Sequence, residues 1–295
     1  MAFRMTRLSD LAEAGFHSVI DVRAPAEFAE DRLPGAVSLP VLSDEERARV
    51  GTIYVQERPF LARKIGAALV ARNAAAHIEQ RLAEKDGGWR PLVYCWRGGQ
   101  RSGSFATILS QIGWRVETLE GGYQSYRRSV VKTLYDDDFP APVVLLDGNT
   151  GTGKTEVLQR LDALGHQVID LEGLANHRGS VLGGMGPQPA QKSFETALYA
   201  QVTALDPSRP VVIEAESSKI GAINLPSQLF NAMKKAPRIT VQAPLNARAK
   251  LLAKTYTSEM VAYEDLSVQL DRLVGLRGRA LVDDWKSLAQ ERDFE

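Results

Sequence analysis

The chain has few of the residues that cross-link small proteins or bind metals. Its 295 residues include one cysteine and four histidines. An intramolecular disulfide is therefore excluded, and no set of cysteines and histidines has metal-site spacing. No apolar run approaches membrane-spanning length, and the N-terminal Met-Ala-Phe-Arg leads into polar sequence without the apolar segment of a secretory signal. These absences predict a cytoplasmic protein in a reducing compartment.

Neither sign of charge is in excess. The 36 lysines and arginines balance 36 aspartates and glutamates, for a formal net charge of +0. Binding to nucleic acid would therefore need a local basic patch. A hydrophobic content of 44% and a charged content of 24% are typical of a globular protein, and the length suffices for two domains.

The only cysteine, Cys95, lies between a strand pattern and a helix pattern. The apolar run 91–94 precedes it, and residues 102–112 carry apolar side chains at helical spacing. The loop between them holds two glycines and two arginines: Trp96, Arg97, Gly98, Gly99, Gln100, Arg101 and Ser102. Free backbone N–H groups at a helix start stabilise an anion, so we predict a nucleophilic thiol. The alternative, a buried structural cysteine, is favoured less because glycines and arginines suit a core badly.

A second strand–loop–helix pattern carries a complete Gly-x-x-x-x-Gly-Lys-Thr motif. The buried-strand pattern 143–147 precedes it, and the helix pattern 156–164 follows. The motif consists of Gly148, Asn149, Thr150, Gly151, Thr152, Gly153, Lys154 and Thr155. Its glycines let the backbone wrap a phosphate, Lys154 supplies positive charge, and Thr155 can bind Mg²⁺. The motif predicts phosphate binding without identifying the compound.

Alternating strand and helix patterns predict an α/β fold with mostly parallel sheets. We expect one α/β domain over residues 1–135, a linker over 136–142 and a P-loop NTPase-like domain over 143–295 that ends in helices. The stretch from about residue 43 to 85 reads as a helical insertion rich in arginine. That insertion is either a functional surface or a solvated helical face.

Several polar residues of the second domain have two open interpretations. Glu214 and Glu216, at a strand's end, could orient a metal ion or simply face solvent. Arg248 could reach a phosphate or serve the structure. The stretch 170–186 reads as a loop outside the core, within which His177 and Arg178 could contact substrate or cap a helix.

Three segments of the first domain carry a family resemblance. The loop at Cys95 resembles the active-site loop of rhodanese-type sulfurtransferases, Cys-x-x-Gly-x-x-Arg-Ser. Residues 21–28 with 33–40 resemble the signature Asp-Val-Arg-x-x-x-Glu-Phe…Pro-Gly-Ala, and Gly121-Gly122-Tyr123 resembles the family's closing turn. This resemblance implies a rhodanese-like domain whose cysteine carries a transferable chalcogen.

The chain as a whole resembles the bacterial tRNA 2-selenouridine synthases. The resemblance extends to residues 44–52, 170–180 and 214–221. It implies that sulfur is replaced by selenium in a wobble 2-thiouridine of tRNA, with selenophosphate as donor and an S-geranylated uridine, made from geranyl diphosphate, as intermediate. In that reaction the P-loop would hold the diphosphate, with Mg²⁺ on Thr155, and Cys95 would act in the selenium step as nucleophile or carrier. Candidate tRNA contacts are Arg63, Lys64, Arg127 and Arg128.

Two other classes of function stay open. An NTP-dependent kinase or ATPase with an accessory sulfurtransferase module would use the same P-loop, and it would release phosphate from ATP without tRNA. A non-catalytic tRNA-binding protein would not need Cys95 or the loop arginines. The sequence leaves the order of the steps and the oligomeric state undetermined.

Overall fold

The computed structural model describes residues 2–178, 186–258 and 263–291, which form two compact units. The first unit contains the residues up to Asp137 together with Glu195–Thr203, and the second contains Asp138–Phe194 and the residues from Ala204 onward. No sequence pattern indicates that 195–203 pack with the first unit. The motif residues Gly179 and Ser180 and the glycine-rich segment 183–185 lie outside the described residues.

The described part of the first unit contains a five-stranded sheet in the order β1-β5-β4-β2-β3, in which every neighbouring pair is parallel. Its strands are β1 (Ala2–Phe3), β2 (Ser18–Asp21), β3 (Ala36–Ser38), β4 (Pro91–Tyr94) and β5 (Glu117–Leu119). Its helices are α1 (Ser9–Glu13), α2 (Pro25–Glu30), α3 (Asp44–Gln56), α4 (Pro59–Arg81), α5 (Gln100–Ile112) and α6 (Gly122–Val131). All four residues of the central strand β4 are buried, as expected for a parallel strand covered on both faces.

The predicted insertion forms the two helices α3 and α4, which pack against each other. A capping box starts α3, in which Ser43 Oγ accepts the N–H of Glu46 and the Glu46 carboxylate accepts the N–H of Ser43. Pro59 occupies the first turn of α4, where its missing N–H costs nothing. The helices thus have their own start signals, and their apolar faces join the core around Phe105 and Leu109.

The described part of the second unit has a four-stranded parallel sheet in the order β11-β6-β8-β7 and a small antiparallel β9–β10 hairpin. The strands are β6 (Val143–Asp147), β7 (Gln167–Ile169), β8 (Val211–Glu214), β9 (Lys219–Ile220), β10 (Ile223–Asn224) and β11 (Arg238–Thr240). The helices are α7 (Lys154–Ala163), α8 (Leu171–Ala175), α10 (Ser227–Lys235), α11 (Leu245–Ser258), α12 (Tyr263–Asp271), α13 (Val274–Arg277) and α14 (Arg279–Gln290). Helix α9 (Gln191–Ala204) is shared, because its residues Glu195–Thr203 belong to the first unit. Within the described ranges, no helix is long and apolar enough to span a membrane.

The predicted fold class is confirmed: both units are α/β with parallel sheets, and helices follow the last strand of the second unit. The loop prediction for 170–178 is wrong. Residues 171–175 form the short helix α8, and Leu171 and Ala175 are fully buried. Asp170 starts this helix because its side chain accepts the N–H of Gly173 at 2.7 Å. The loop prediction failed because the many polar residues of this segment gave no apolar periodicity from which a helix could be predicted.

Candidate functional site

Cys95 follows the last residue of β4 and begins the loop 95–102, hereafter the Cys95 loop. The thiol is buried, with a relative exposure of 3%. Its sulfur lies 3.1 Å from Ser102 Oγ, a hydrogen bond in which either atom can donate. Ser102 lies in the first turn of α5, so the sulfur stands beside the N-terminus of that helix. The helix N-terminus agrees with the prediction of a nucleophilic thiol, and the burial within the core cluster agrees with the alternative of a structural cysteine.

The turn at Gly121 and Gly122 packs against the backbone of the Cys95 loop. The N–H of Tyr123 donates to the carbonyl of Cys95 at 2.8 Å, and the N–H of Gln124 donates to that of Trp96 at 2.9 Å. Gly122 has φ +58°, and a Cβ there would collide with the Cys95 carbonyl oxygen. Glycine is therefore required at this position both by the dihedral angle and by the close approach.

The signature residues Asp21 and Arg23 are structural. Both are buried, and Arg23 Nη2 lies 2.6 Å from Asp21 Oδ2. The Arg23 guanidinium also stacks 4.0 Å from the ring centroid of Tyr123, whose hydroxyl donates to Asp31 Oδ2 at 2.6 Å. Thr196 Oγ1, within the same unit, donates to that oxygen at 2.9 Å. This network holds the glycine turn, and through it the Cys95 loop, in place.

The two loop arginines are in different surroundings. Arg101 Nη1 donates to Glu27 Oε2 at 2.8 Å, and Arg47 Nε lies 3.3 Å from the same oxygen. Burial raises the pKa of Glu27, but these cations outweigh it and hold the pKa below its ordinary value. Arg97 is exposed at the loop's outer side. Sequence reasoning missed Glu27 as the residue that positions Arg101, although it belongs to the rhodanese signature segment 21–28.

The motif residues 148–155, hereafter the P-loop, connect β6 to α7. Lys154 Nζ donates to the carbonyl of Gly148 at 2.9 Å, so its ammonium group lies over the loop. Thr152 Oγ1 donates to the carbonyl of Asn149 at 2.8 Å. Gly153 caps α7 with φ +81°, and Thr155 follows in its first turn. The arrangement presents backbone N–H groups and one cation to a phosphate.

Arg248, in α11, contacts the P-loop. Its Nε donates to the carbonyl of Thr150 at 3.0 Å. Gly151 has φ +82°, and a Cβ there would come within 2.8 Å of Leu252 Cγ and 3.0 Å of the Arg248 carbonyl oxygen. The structure therefore places Arg248 at the predicted site, where its observed contact is with the loop backbone.

Four carboxyl groups lie at the carboxyl ends of β7 and β8, near the P-loop. This acidic cluster consists of Asp170, Glu172, Glu214 and Glu216. Glu214 Oε2 accepts the N–H of Glu172 at 3.1 Å, and Glu214 Oε1 has no hydrogen-bond partner among the described residues. The solvent-facing interpretation of Glu214 is wrong because its side chain is fully buried.

Burial dominates the titration of this acidic cluster. It raises the pKa of Glu214 to about 8, with a further contribution from the charge of Asp170. Burial and the neighbouring Glu216 raise the pKa of Glu172 to about 7, against the opposing charge of Lys154. Glu172, which the sequence offered only as part of a motif, is thereby brought into the P-loop neighbourhood. A raised pKa beside a phosphate site marks a group that can hold a proton near neutral pH.

His177 and Arg178 follow α8. The N–H of His177 donates to the carbonyl of Glu172, and both side chains are half-buried. A Cβ at Gly221, where φ is +58°, would lie 2.8 Å from His177 Cδ2. The two sequence segments that carry the specific resemblance, 170–178 and 214–221, are thus neighbours within the second unit.

The candidate RNA contacts differ in accessibility. Arg63, Lys64 and Arg128 are exposed. Arg127 is only 17% exposed and forms an ion pair with Glu195. Among the described side chains, no group of three or more histidines, cysteines, aspartates or glutamates is arranged to hold a metal ion.

Two family models match this chain. Residues 5–129 match the family model "Rhodanese-like domain", and residues 141–271 match "tRNA 2-selenouridine synthase AAA domain". A tRNA 2-selenouridine synthase from Nitrosomonas europaea is 37% identical over 81% of this chain and 63% of its own length. One from Psychromonas ingrahamii is 35% identical over 85% of this chain and 68% of its own length. The chain belongs to the tRNA 2-selenouridine synthase family.

The chain spans about two thirds of the length of the curated relatives it matches. Among solved structures, a rhodanese-related protein from Thermoplasma volcanium is 20% identical, covering 43% of this chain and 93% of that chain, with a TM-score of 0.27. That likeness is too slight to carry an argument. The family membership confirms the resemblance inferred from the motifs.

Proposed function

We propose that the chain exchanges sulfur for selenium in the wobble 2-thiouridine of tRNA. The observation that supports this proposal is that one member of the tRNA 2-selenouridine synthase family has two strand–loop–helix turns of different chemistry, each of the kind that can bind an anion. One loop holds a buried thiol beside a helix N-terminus, and the other holds a lysine over a phosphate-binding backbone.

The P-loop would serve an alkylation step. The sulfur of 2-thiouridine attacks C1 of geranyl diphosphate, a C–S bond forms, and the C–O bond to the diphosphate breaks. The uracil N3 proton is released, so the S-geranyl nucleoside is neutral. Lys154 and the loop N–H groups stabilise the charge that develops on the departing diphosphate. Glu172, close enough to Lys154 for that charge to lower its pKa, suits the role of proton acceptor.

The P-loop offers oxygen donors that suit Mg²⁺. The Thr155 hydroxyl and the diphosphate oxygens are the ligands that Mg²⁺ prefers, with water completing its coordination. When bound, the ion would add positive charge at the leaving group. Thr155 would hold it, and the acidic cluster would orient its water.

The Cys95 loop would serve the selenium step. Selenium from selenophosphate replaces the geranylthio group at C2, so that a C–Se bond forms and a C–S bond breaks. The geranyl thiol leaves with a proton, and water then cleaves the Se–P bond to release phosphate. Cys95 acts here as the nucleophile: its thiolate displaces the geranylthio group and forms a C2–S bond, and selenium then breaks that bond and releases the Cys95 thiolate. The N–H groups of the loop would bind the phosphate end of the donor.

Mass spectrometry of wobble nucleosides tests the proposal directly. Thiolated tRNA incubated with the protein, geranyl diphosphate and selenophosphate should yield S-geranyl-2-thiouridine and 2-selenouridine. Omission of geranyl diphosphate should abolish both products. Release of phosphate from ATP without tRNA would favour a kinase or ATPase instead, and tRNA binding without either product would favour a non-catalytic role.

A further inference from the structure

The insertion helices line a cavity, open to solvent, that neither proposed step uses so far. It has a volume of about 300 Å³ and lies between α3, α4 and the start of α5. The side chains that define its interior are mostly apolar: Leu42, Val50, Tyr54, Ala67 and Val70. This insertion cavity is at the lower end of the roughly 300–1,000 Å³ typical of ligand pockets. It suits a small apolar group better than a whole nucleotide.

The insertion cavity adjoins the Cys95 loop. Gln100, Arg101 and Ser104, all in the first turns of α5, line it on that side, and Arg63 of α4 adds a second cation to its lining. Ser102, in the same turn, contacts the sulfur of Cys95 at 3.1 Å. A ligand in the cavity and a group reacting at Cys95 would therefore contact the same helical turn.

Apolar side chains are also exposed on the helices that line this cavity. Tyr54 is 53% exposed, and Val55 and Phe60, on the same pair of helices, are 82% and 71% exposed. Concentrated exposed apolar surface marks a binding region. Arg101 is held at the wall by Glu27, 2.8 Å away, which fixes the boundary between the apolar cavity and the polar loop.

We propose that the insertion cavity binds the ten-carbon prenyl chain of the S-geranylated uridine during the selenium step. This inference rests on the proposed function, in which such an intermediate reaches Cys95. The chain is the apolar part of an otherwise polar substrate, so an apolar cavity beside the reacting group is where it would be buried. Burial of the chain would hold the C–S bond near the thiol and would distinguish the alkylated uridine from plain 2-thiouridine.

Two substrates separate this role from general RNA binding. Anticodon stem–loop RNA carrying S-geranyl-2-thiouridine is compared with RNA carrying S-methyl-2-thiouridine, both with selenophosphate. Each buried methylene strengthens binding about fourfold, since it contributes about 0.8 kcal/mol. We therefore expect kcat/KM to favour the geranyl substrate by at least about tenfold, mainly through KM and in parallel with Kd.

Ala67→Phe is the variant of choice because Ala67 lines the cavity but is itself exposed. The added ring should fill the cavity and bring the geranyl-to-methyl ratio close to one. Ala68→Phe is the matched control, since Ala68 is the next residue of α4, is exposed and does not line the cavity. It should keep the wild-type ratio. Ser104→Leu, which narrows the cavity from α5, provides a second test should Ala67→Phe fold poorly.

Each outcome decides something different. Geranylation of 2-thiouridine RNA by both phenylalanine variants should equal that of the wild type. If the wild type makes neither product, the proposed function fails. If the wild type makes both and Ala67→Phe and Ser104→Leu retain the wild-type ratio, the prenyl site is overturned while the proposed function stands. Loss of geranylation in Ala67→Phe but not in Ala68→Phe would also overturn it, because the cavity would then serve the diphosphate donor.

Discussion

The Cys95 loop and the P-loop are built on the same local plan in two separate units. Each follows a buried strand of a parallel sheet, β4 or β6, and each leads into the N-terminus of a helix, α5 or α7. Each contains glycines with positive φ, such as Gly98 at +68° and Gly153 at +81°. The sequence of each therefore favours binding of an anion through backbone N–H groups.

The loops differ in the group with which a cationic side chain of each one interacts. The P-loop carries Lys154 over its own backbone, whereas Arg101 of the Cys95 loop is paired with Glu27. A full cation suits a reaction in which a diphosphate departs with its charge. Backbone partial charges beside a buried thiol, with Arg97 exposed in the same loop, suit a donor that is held while sulfur or selenium chemistry proceeds. Two loops of the same backbone type thus differ in their chemistry because one carries Lys154 and the other carries Cys95.

Replacement of the Cys95 thiol should give the largest difference between the two proposed activities. Cys95→Ser preserves the size of the side chain and its contact with Ser102 but removes the soft, polarisable nucleophile. We expect loss of 2-selenouridine formation with geranylation retained, measured by mass spectrometry of wobble nucleosides. Normal selenation by the serine variant would remove Cys95 from the mechanism.

Removal of the P-loop cation should have a large but partial effect. Loss of a preorganised transition-state donor costs on the order of 2–4 kcal/mol, about 30- to 1,000-fold in rate. Lys154→Ala should slow geranylation of 2-thiouridine tRNA by that factor in single-turnover kinetics. The matched control is the same variant with tRNA supplied already geranylated, which should be selenated at nearly the wild-type rate. Equal failure on both substrates would mean that the P-loop also serves the selenium step.

The acidic cluster adds a second difference between the two sites, because it lies in the unit of the P-loop and titrates near neutral pH. Glu214 has a pKa raised to about 8, above the ordinary glutamate value of about 4.3. Between these values the native state binds more protons than the unfolded chain, so stability falls as pH rises. We expect a loss on the order of 2–4 kcal/mol between pH 5 and pH 8 in the wild type.

Glu214→Gln removes this titration, so its free energy of unfolding should vary less over the same pH range. Denaturant unfolding of the full chain at several pH values, followed by a probe in the second unit, measures it. Glu156→Gln, at an exposed position of α7, is the control and should keep the wild-type pH dependence. Parallel curves for wild type and Glu214→Gln would contradict the raised pKa.

Much of the fold could be predicted because its strands are short apolar runs between clear turn signals. The patterns 143–147 and 91–94 coincide with β6 and β4. The hairpin β9–β10, with two residues in each strand, left no such signal. Helix α8 was mistaken for a loop because its helical turn depends on the Asp170 cap rather than on apolar periodicity.

The sequence predicted the two motifs of the candidate site but not the side chains that surround them. Sequence spacing located Cys95 and Lys154, since each motif lies between a strand and a helix. It could not show that Glu27 engages Arg101 across 74 positions of the chain, or that Glu214 receives the N–H of Glu172. These pairings depend on which strand ends are neighbours in the sheets.

The smallest expected effect concerns the candidate tRNA contacts, which the sequence analysis places in the first unit. Arg63 and Lys64 are adjacent and exposed on α4, the helix that also lines the insertion cavity. Removal of one cation that binds an RNA phosphate should lower the slope of log affinity against log salt by about 0.7–0.9. Replacement of both by alanine should therefore lower the slope for tRNA binding by about 1.4–1.8. Lys234 and Lys235, an adjacent exposed pair on α10 of the second unit, provide the control, and their replacement by alanine should leave the slope unchanged. If the α4 pair behaves like the α10 pair, the basic face of the insertion is merely solvated and the tRNA backbone binds elsewhere.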